Sequence, residues 1–284
     1  MQAKSELARF LRARRERVRP EDVGLPATGR RRVPGLRREE LALLAGISAE
    51  YYLRLEQGRD HNPSPAVLDA LARVLLLDDE ATAYLHALAG PGPRRRARRP
   101  RPESVPPGIH QLMTGEWSAT PIVVLNKYME VLAANALATA LSPVYTVGTS
   151  TIRAAFLDEE LRSLYTNREE MTVRAVAGLR ALIGPDTEDP RVVRLVHELS
   201  TRSEEFRQLW ARHDVGSGGH GASRLNHPVV GTLDLSYDRL AVPGSDGQLL
   251  VVHHAVPGSD SARKLTRLYE TVRRSSASAA GVQR

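Results

Sequence analysis

Apolar positions in the first ninety residues recur at helical spacing and are interrupted at short intervals by glycine and proline. Leu7, Phe10, Leu11 and Val18 mark a first helix over about 5–17, ended by Pro20. Leu41, Leu44 and Ala45 form the inward face of a second, about 37–45, which stops at Gly46. Ser48 is the expected N-cap of a third helix reaching about Glu56, with Gly58 beyond its end. Ser64-Pro65 opens a fourth, with proline at the first helical position, and Asp78 or Asp79 a fifth running to Ala89. Residues 20–36 read as a Pro/Gly loop carrying Arg30, Arg31 and Arg32. The stretch 91–107, PGPRRRARRPRPESVPP, has no apolar period and is expected to be a stiff, extended linker.

Beyond the linker the period changes. PIVVLNKYMEVLAAN (121–135) predicts a hairpin of two short strands around Asn126-Lys127. Helices are expected over TIRAAFLDEELRSLY, over EEMTVRAVAGLRALIG, and from Pro190 onward with a break near 200–203. GTLDLSY alternates Leu233, Leu235 and Tyr237 with Thr232, Asp234 and Ser236, the pattern of a strand with one buried face. Asp246-Gly247 signals a turn into the apolar strand LLVVHHAV, and SARKLTRLYETVRR a last helix. Strands at both ends with helices between them imply an α+β domain with an antiparallel sheet. The expected organisation is therefore multi-domain: an all-α five-helix unit at 1–90, the linker at 91–107, the α+β domain at 108–274 and a disordered tail at 275–284.

Composition narrows the chemistry. The 284 residues include no cysteine, which excludes disulfides, thiolate zinc sites and a cysteine nucleophile. Three Phe and two Trp leave the cores to be built mainly from Leu, Val and Ala. The charged N-terminus has no signal-like apolar stretch, and no window is apolar enough to span a bilayer, so a soluble, cytoplasmic (nucleoid-associated) protein without a membrane partner is expected. The net charge of +7 is unevenly placed: residues 1–59 hold 14 Lys or Arg against 8 Asp or Glu, and 91–101 add six arginines. From residue 104 onward the balance is 19 against 19. A polyanionic partner for the first domain follows.

The stretch Leu36–Arg59, LRREELALLAGISAEYYLRLEQGR, is where charge and fold meet. Two helices joined by a short turn with Gly46 form a helix-turn-helix, whose second helix fits a major groove. Ala42 or Ala45 permits the close crossing, Ile47 plugs the gap, and Tyr52 and Leu55 anchor the second helix. That leaves Ala49, Glu50, Tyr51 and Arg54 facing outward. Arg54 can donate two hydrogen bonds to guanine, Glu50 can accept from cytosine, and Ala49 can meet a thymine methyl. Tyr51, Arg37, Arg38 and the loop arginines Arg30, Arg31 and Arg32 suit phosphates. The plainer alternative, a solvated helix face, does not account for turn, plug, anchors and basic flanks together.

These segments resemble the XRE family of helix-turn-helix regulators, and its MmyB-like branch in particular. The matching residues are LAR-FLRARR, LRREELALLAGIS and EYYLRLEQGRDHNPSPAVLDALARVLLL, then VVLNKYMEVLAAN, EFRQLWARHDV and HPVVGTLDLSYDRLAV. The resemblance implies double-stranded operator DNA as partner, with base contacts from Ala49, Glu50 and Arg54 and backbone contacts from Arg38 and Tyr51. It also implies that Glu56 pairs with an arginine of the first helix, Arg15, as a structural link. Arg38 stands where glutamine is common. For the second half the resemblance implies a PAS-like domain with a cavity for a small, largely apolar ligand. Phe206, Trp210 and His213 on one helical face, with Tyr237 from the sheet, are the candidate lining, the alternative being that Phe206 and Trp210 are ordinary core residues and His213 a satisfied polar cap. One recognition helix covers few base pairs, so a homodimer on a near-palindromic site is expected.

Other signals carry less. GSGGHG (216–221) has the spacing of a dinucleotide loop but follows a helix and precedes a strand, the reverse of that site's order. Histidines 197, 213, 220, 227, 253 and 254 lack a zinc enzyme's i, i+4 pairing with an acid. No nucleophile elbow or P-loop occurs. No cofactor, metal or catalytic residue is expected, and the protein is not expected to be an enzyme. A rival reading from another class is a module whose arginines bind RNA or a membrane surface.

Overall fold

Ser48, Ser64 and Asp78 each accept a hydrogen bond from the backbone N–H three residues on, so side chains written into the sequence begin three of the N-terminal helices. The computed structural model describes residues 2–26, 35–60, 62–90, 103–216 and 219–281. In the first part these form α1 (Gln2–Arg17), α2 (Arg38–Leu44), α3 (Ala49–Glu56), α4 (Pro65–Val74) and α5 (Asp79–Ala89). Next come α6 (Pro107–Thr114), β1 (Ile122–Leu125), β2 (Val131–Ala134), α7 (Ala136–Leu141), α8 (Thr151–Leu157) and α9 (Glu159–Leu164). Then follow α10 (Arg168–Ile183), α11 (Pro190–Arg202), α12 (Glu204–Ala211), β3 (His220–His227), β4 (Gly231–Ala241), β5 (Leu249–His254) and α13 (Asp260–Gly281). Contacts group the chain into two units, Met1–Arg98 with Val176–Ser217 and Arg99–Ala175 with Gly218–Arg284.

In the first unit, Phe10, Leu11, Leu36, Leu41, Tyr52, Leu55, Leu71 and Leu85 are fully buried and come from all five N-terminal helices or their junctions. Phe10 meets Tyr84 edge to face at 5.4 Å. Gly46 takes φ +68 between α2 and α3, a backbone that a Cβ would strain, which is why the turn is glycine. Gly35 serves a different need: a Cβ there would lie 2.4 Å from the Glu16 carbonyl oxygen, so the chain enters α2 hard against the end of α1.

The unit does not end with the five helices. Residues 176–217, expected in the second domain, group with the first, because Val215 and Ala181 pack on its core and Arg180 pairs with Glu6.

The second unit is a five-stranded antiparallel sheet in the order β2-β1-β5-β4-β3, with helices packed on it. The chain itself bonds to part of each outer edge. On β2, the Val131 N–H donates to Thr149 O and its carbonyl accepts from Gly148 N, both at 2.9 Å. On β3, the Arg224 carbonyl accepts from Thr166 N at 2.9 Å, and Asn167 bonds both Arg224 N and the Ala222 carbonyl. Opposite Gly221 on β4 stands Tyr237, whose hydroxyl would lie 2.4 Å from a Cβ at that glycine.

Helices α6 and α7 lie where none was expected, and three further elements differ from the expectation. HGASRLNH forms β3 although Leu225 is its one large aliphatic residue; Ser223 and His227 complete the buried face. TIRAAFLDEELRSLY is two helices, because Asp158 leaves α8 in extended conformation and caps α9 through Leu161 N. The last helix continues through the Ser/Ala stretch to Gly281, serine and alanine being compatible with helix, where a disordered tail was expected from 275. Of the linker, 91–102 lie outside the described residues, and Pro107 already begins α6.

Candidate nucleic-acid interface and ligand cavity

Helix α3 is sorted by burial. Tyr52 and Leu55 are fully buried, and Ile47 just before the helix packs on the same core. Ala49, Glu50 and Arg54 are exposed, and Tyr51 is half-buried. The Arg54 guanidinium lies along its own helix, 3.5 Å from Glu50, 3.7 Å from Asp60 and 5.6 Å from the Tyr51 ring centre. Exposed pairs of this kind are worth about 0–1 kcal/mol, so little opposes the swing of Arg54 onto another acceptor.

Behind that face, Glu56 collects three partners. Arg15 Nε donates to one carboxylate oxygen at 2.5 Å, Arg38 Nε to the other at 2.6 Å, and the Tyr52 hydroxyl donates at 3.0 Å. Burial pushes this carboxyl up, but the hydrogen bonds from Arg15 and Arg38 outweigh it and hold the group below its ordinary value. The Arg15–Glu56 link is the one the resemblance implied. Arg38 stays half-exposed while tied to Glu56, and Arg37 is exposed at the N-cap of α2, its N–H bonded to Glu40 at 2.8 Å. Arg30, Arg31 and Arg32 lie outside the described residues.

The second unit holds a cavity between the sheet and helices α8 to α10, lined by Leu125, Met129, Val144, Leu161, Met171 and Val251 among apolar residues. Tyr237, the sheet residue singled out from the sequence, is on its wall. The wall also has a polar sector that sequence reasoning missed: Tyr145, Tyr165, Ser223, Arg239 and His253. Among the described residues, Arg239 Nε and Nη1, both His253 nitrogens and Ser223 Oγ are buried without a hydrogen-bond partner. Burial, with the Arg239 charge adding, lowers His253 to about 4, so the ring is neutral near pH 7 and carries one N–H. Burial raises the Tyr145 and Tyr165 hydroxyls, which remain protonated. One signal was available: carrying the β4 alternation of Leu233, Leu235 and Tyr237 one step further reaches Arg239.

The other three candidates for the lining are corrected. Phe206, Trp210 and His213 belong to the first unit and do not line this cavity. Phe206 is fully buried and stacks on Trp210 at 5.7 Å, and Arg180 lies 3.9 Å from the Trp210 ring centre. His213 Nδ1 is 3.2 Å from Glu6 Oε1. An aromatic stripe on a helix looks the same in sequence whether it faces a cavity or a buried arginine.

Among the described residues no group of three or more His, Asp or Glu side chains converges as a metal site, and no helix is long and apolar enough to cross a membrane. Compared with known families, residues 105–268 match the MmyB-like transcription regulator ligand binding domain, and residues 6–85 match a helix-turn-helix domain. A comparison with curated proteins finds no match.

Proposed function

The chain belongs to the MmyB-like transcription regulators, and from that premise we propose a promoter reader whose operator affinity is set by a small, largely apolar molecule. One observation carries the DNA half. Ala49, Glu50 and Arg54 are exposed on a helix whose opposite face, Tyr52 and Leu55, is fully buried, so the exposed side chains are presented from a fixed support. In this reading Arg54 and Glu50 discriminate bases, Ala49 meets a thymine methyl, and Arg37, Arg38, Tyr51 and the arginines at 30–32 hold phosphates. The cavity takes the effector: its apolar walls suit hydrocarbon, and Arg239, His253 and Ser223 favour a molecule with an acceptor at one end. Two copies on a near-palindromic site supply the base pairs that one α3 helix lacks, and the protein works on the nucleoid without catalysing a reaction.

The test is genomic footprinting with purified protein, followed by anisotropy titrations of the bound duplex and a scrambled duplex at several salt concentrations. Both affinities fall with salt, and a preference for the operator of about a thousandfold or more remains. Equal affinity for every duplex would instead leave a general polyanion binder.

A further inference from the structure

Helix α10 does two things along its length. Arg168, Met171, Thr172 and Ala175, spaced as one helical face, line the cavity of the second unit. Five residues on, Arg180 is fully buried in the first unit. There its Nη1 donates to Glu6 Oε1 at 2.5 Å, its Nη2 donates to the Trp210 carbonyl at 2.6 Å, and its guanidinium covers the Trp210 ring. Glu6 belongs to α1, the helix whose Arg15 holds Glu56 at the end of α3. The same α1 is bonded again near its far end, where Arg14 and Arg17 both donate to Asp214.

A fully buried arginine is expensive to desolvate and is a poor way to gain stability. Its geometry is instead directional: a fork fixed on one carboxylate and one carbonyl tolerates little displacement of either. Resting on the function proposed above, we infer that the Glu6–Arg180 pair is the coupling joint of this regulator. A rearrangement of α10 at its cavity-lining turns shifts Arg180, and with it α1 and the recognition helix α3. Arg180 is thus a positioning residue for DNA reading, though it faces neither DNA nor the cavity.

Coupling is reciprocal and measurable as a ratio of affinities. Full-length protein is titrated with Nile red, a neutral apolar dye that does not compete for basic surface, and cavity binding is taken as the signal lost in Ala155→Trp. Operator affinity is then measured with and without saturating dye. In the unaltered protein the two values differ by about fivefold or more. In the Glu6→Gln/Arg180→Met double variant, which removes both charges together, the ratio falls to about one while dye and operator each still bind. Arg180→Lys keeps the charge without the fork and recovers part of the ratio. An undiminished ratio in the double variant, or no difference in the unaltered protein, overturns the inference. Either result with operator preference intact leaves the promoter-reader assignment standing, whereas loss of that preference sinks the assignment itself.

Discussion

Arg15 and Glu56 lie 41 residues apart in sequence, yet Arg15 Nε sits 2.5 Å from the Glu56 carboxylate, with both side chains at most 5% exposed. The pair binds the first helix to the end of the recognition helix. Removing Arg15 leaves the buried Glu56 carboxylate to Arg38 and the Tyr52 hydroxyl. Arg15→Met is therefore expected to cost about 1.5–3 kcal/mol, the worth of a hydrogen bond to a charged group. Arg15→Met with Glu56→Leu should cost clearly less than Arg15→Met alone. Urea unfolding of the three proteins decides it, and equal losses would mean that the charges are not coupled.

Arg54 and Arg37 should separate in their effects on DNA. Arg54→Ala is expected to lose about 1–3 kcal/mol at one base pair per half-site and to relax the preference there. Arg37→Ala should weaken all duplexes alike and lower the slope of log affinity against log salt by about one. A panel of single-base operator variants, titrated at three salt concentrations, reads both. Identical profiles for the two variants would remove the division of roles.

Acid should loosen the first unit through Glu6. Burial raises this carboxyl, but His213, Arg180 and Arg9 outweigh it and hold the group at about 2 against an ordinary 4.5. A folded-state value below the unfolded one gives stability that is complete above about 4.5 and lost as pH falls toward 2. At about 1.4 kcal/mol per unit, the contribution is about 3 kcal/mol. His213, lowered mainly by burial, acts in the same direction once pH drops below 6.5. Urea midpoints measured from pH 7 to pH 2 should fall, and Glu6→Gln should flatten the part below 4.5. An unchanged slope in that variant would discharge Glu6 from the role.

Gly221 shapes the cavity through what it lacks. A methyl group there would meet the Tyr237 hydroxyl at 2.4 Å. Gly221→Ala is expected to turn the Tyr237 ring away from its cross-strand position and to weaken Nile red binding severalfold, by about 1 kcal/mol, as for a modest packing conflict. Operator binding without dye should change little. The ring carbon Cζ of Tyr237 would lie 2.5 Å from the same methyl, so Gly221→Ala combined with Tyr237→Val, which removes hydroxyl and ring together, should restore part of the dye affinity.

The N-terminal helices were legible because their boundaries are local chemistry. Ser48 caps through its own side chain, Gly46 takes a backbone that other residues avoid, and Tyr52 and Leu55 fall on the face that must be buried. The late strands were legible where alternation was strong, as in GTLDLSY. Strand β3 was not, because its buried positions include the polar Ser223 and His227, which carry no apolar period. Phe206, Trp210 and His213 failed for a related reason. Their partners, Arg180 and Glu6, lie 30 to more than 200 residues away, and nothing local distinguishes a wall from a core.

The partly bonded sheet edges limit how this protein can pair with itself. Val131 on one side and Arg224 on the other already have both outward backbone groups bonded within the chain, and Ala222 its carbonyl. Extending the sheet there across a twofold axis would require breaking those bonds first. At these positions a symmetric partner of the sheet unit has to be met through side chains, and its choice can be altered there by surface substitution without disturbing a strand.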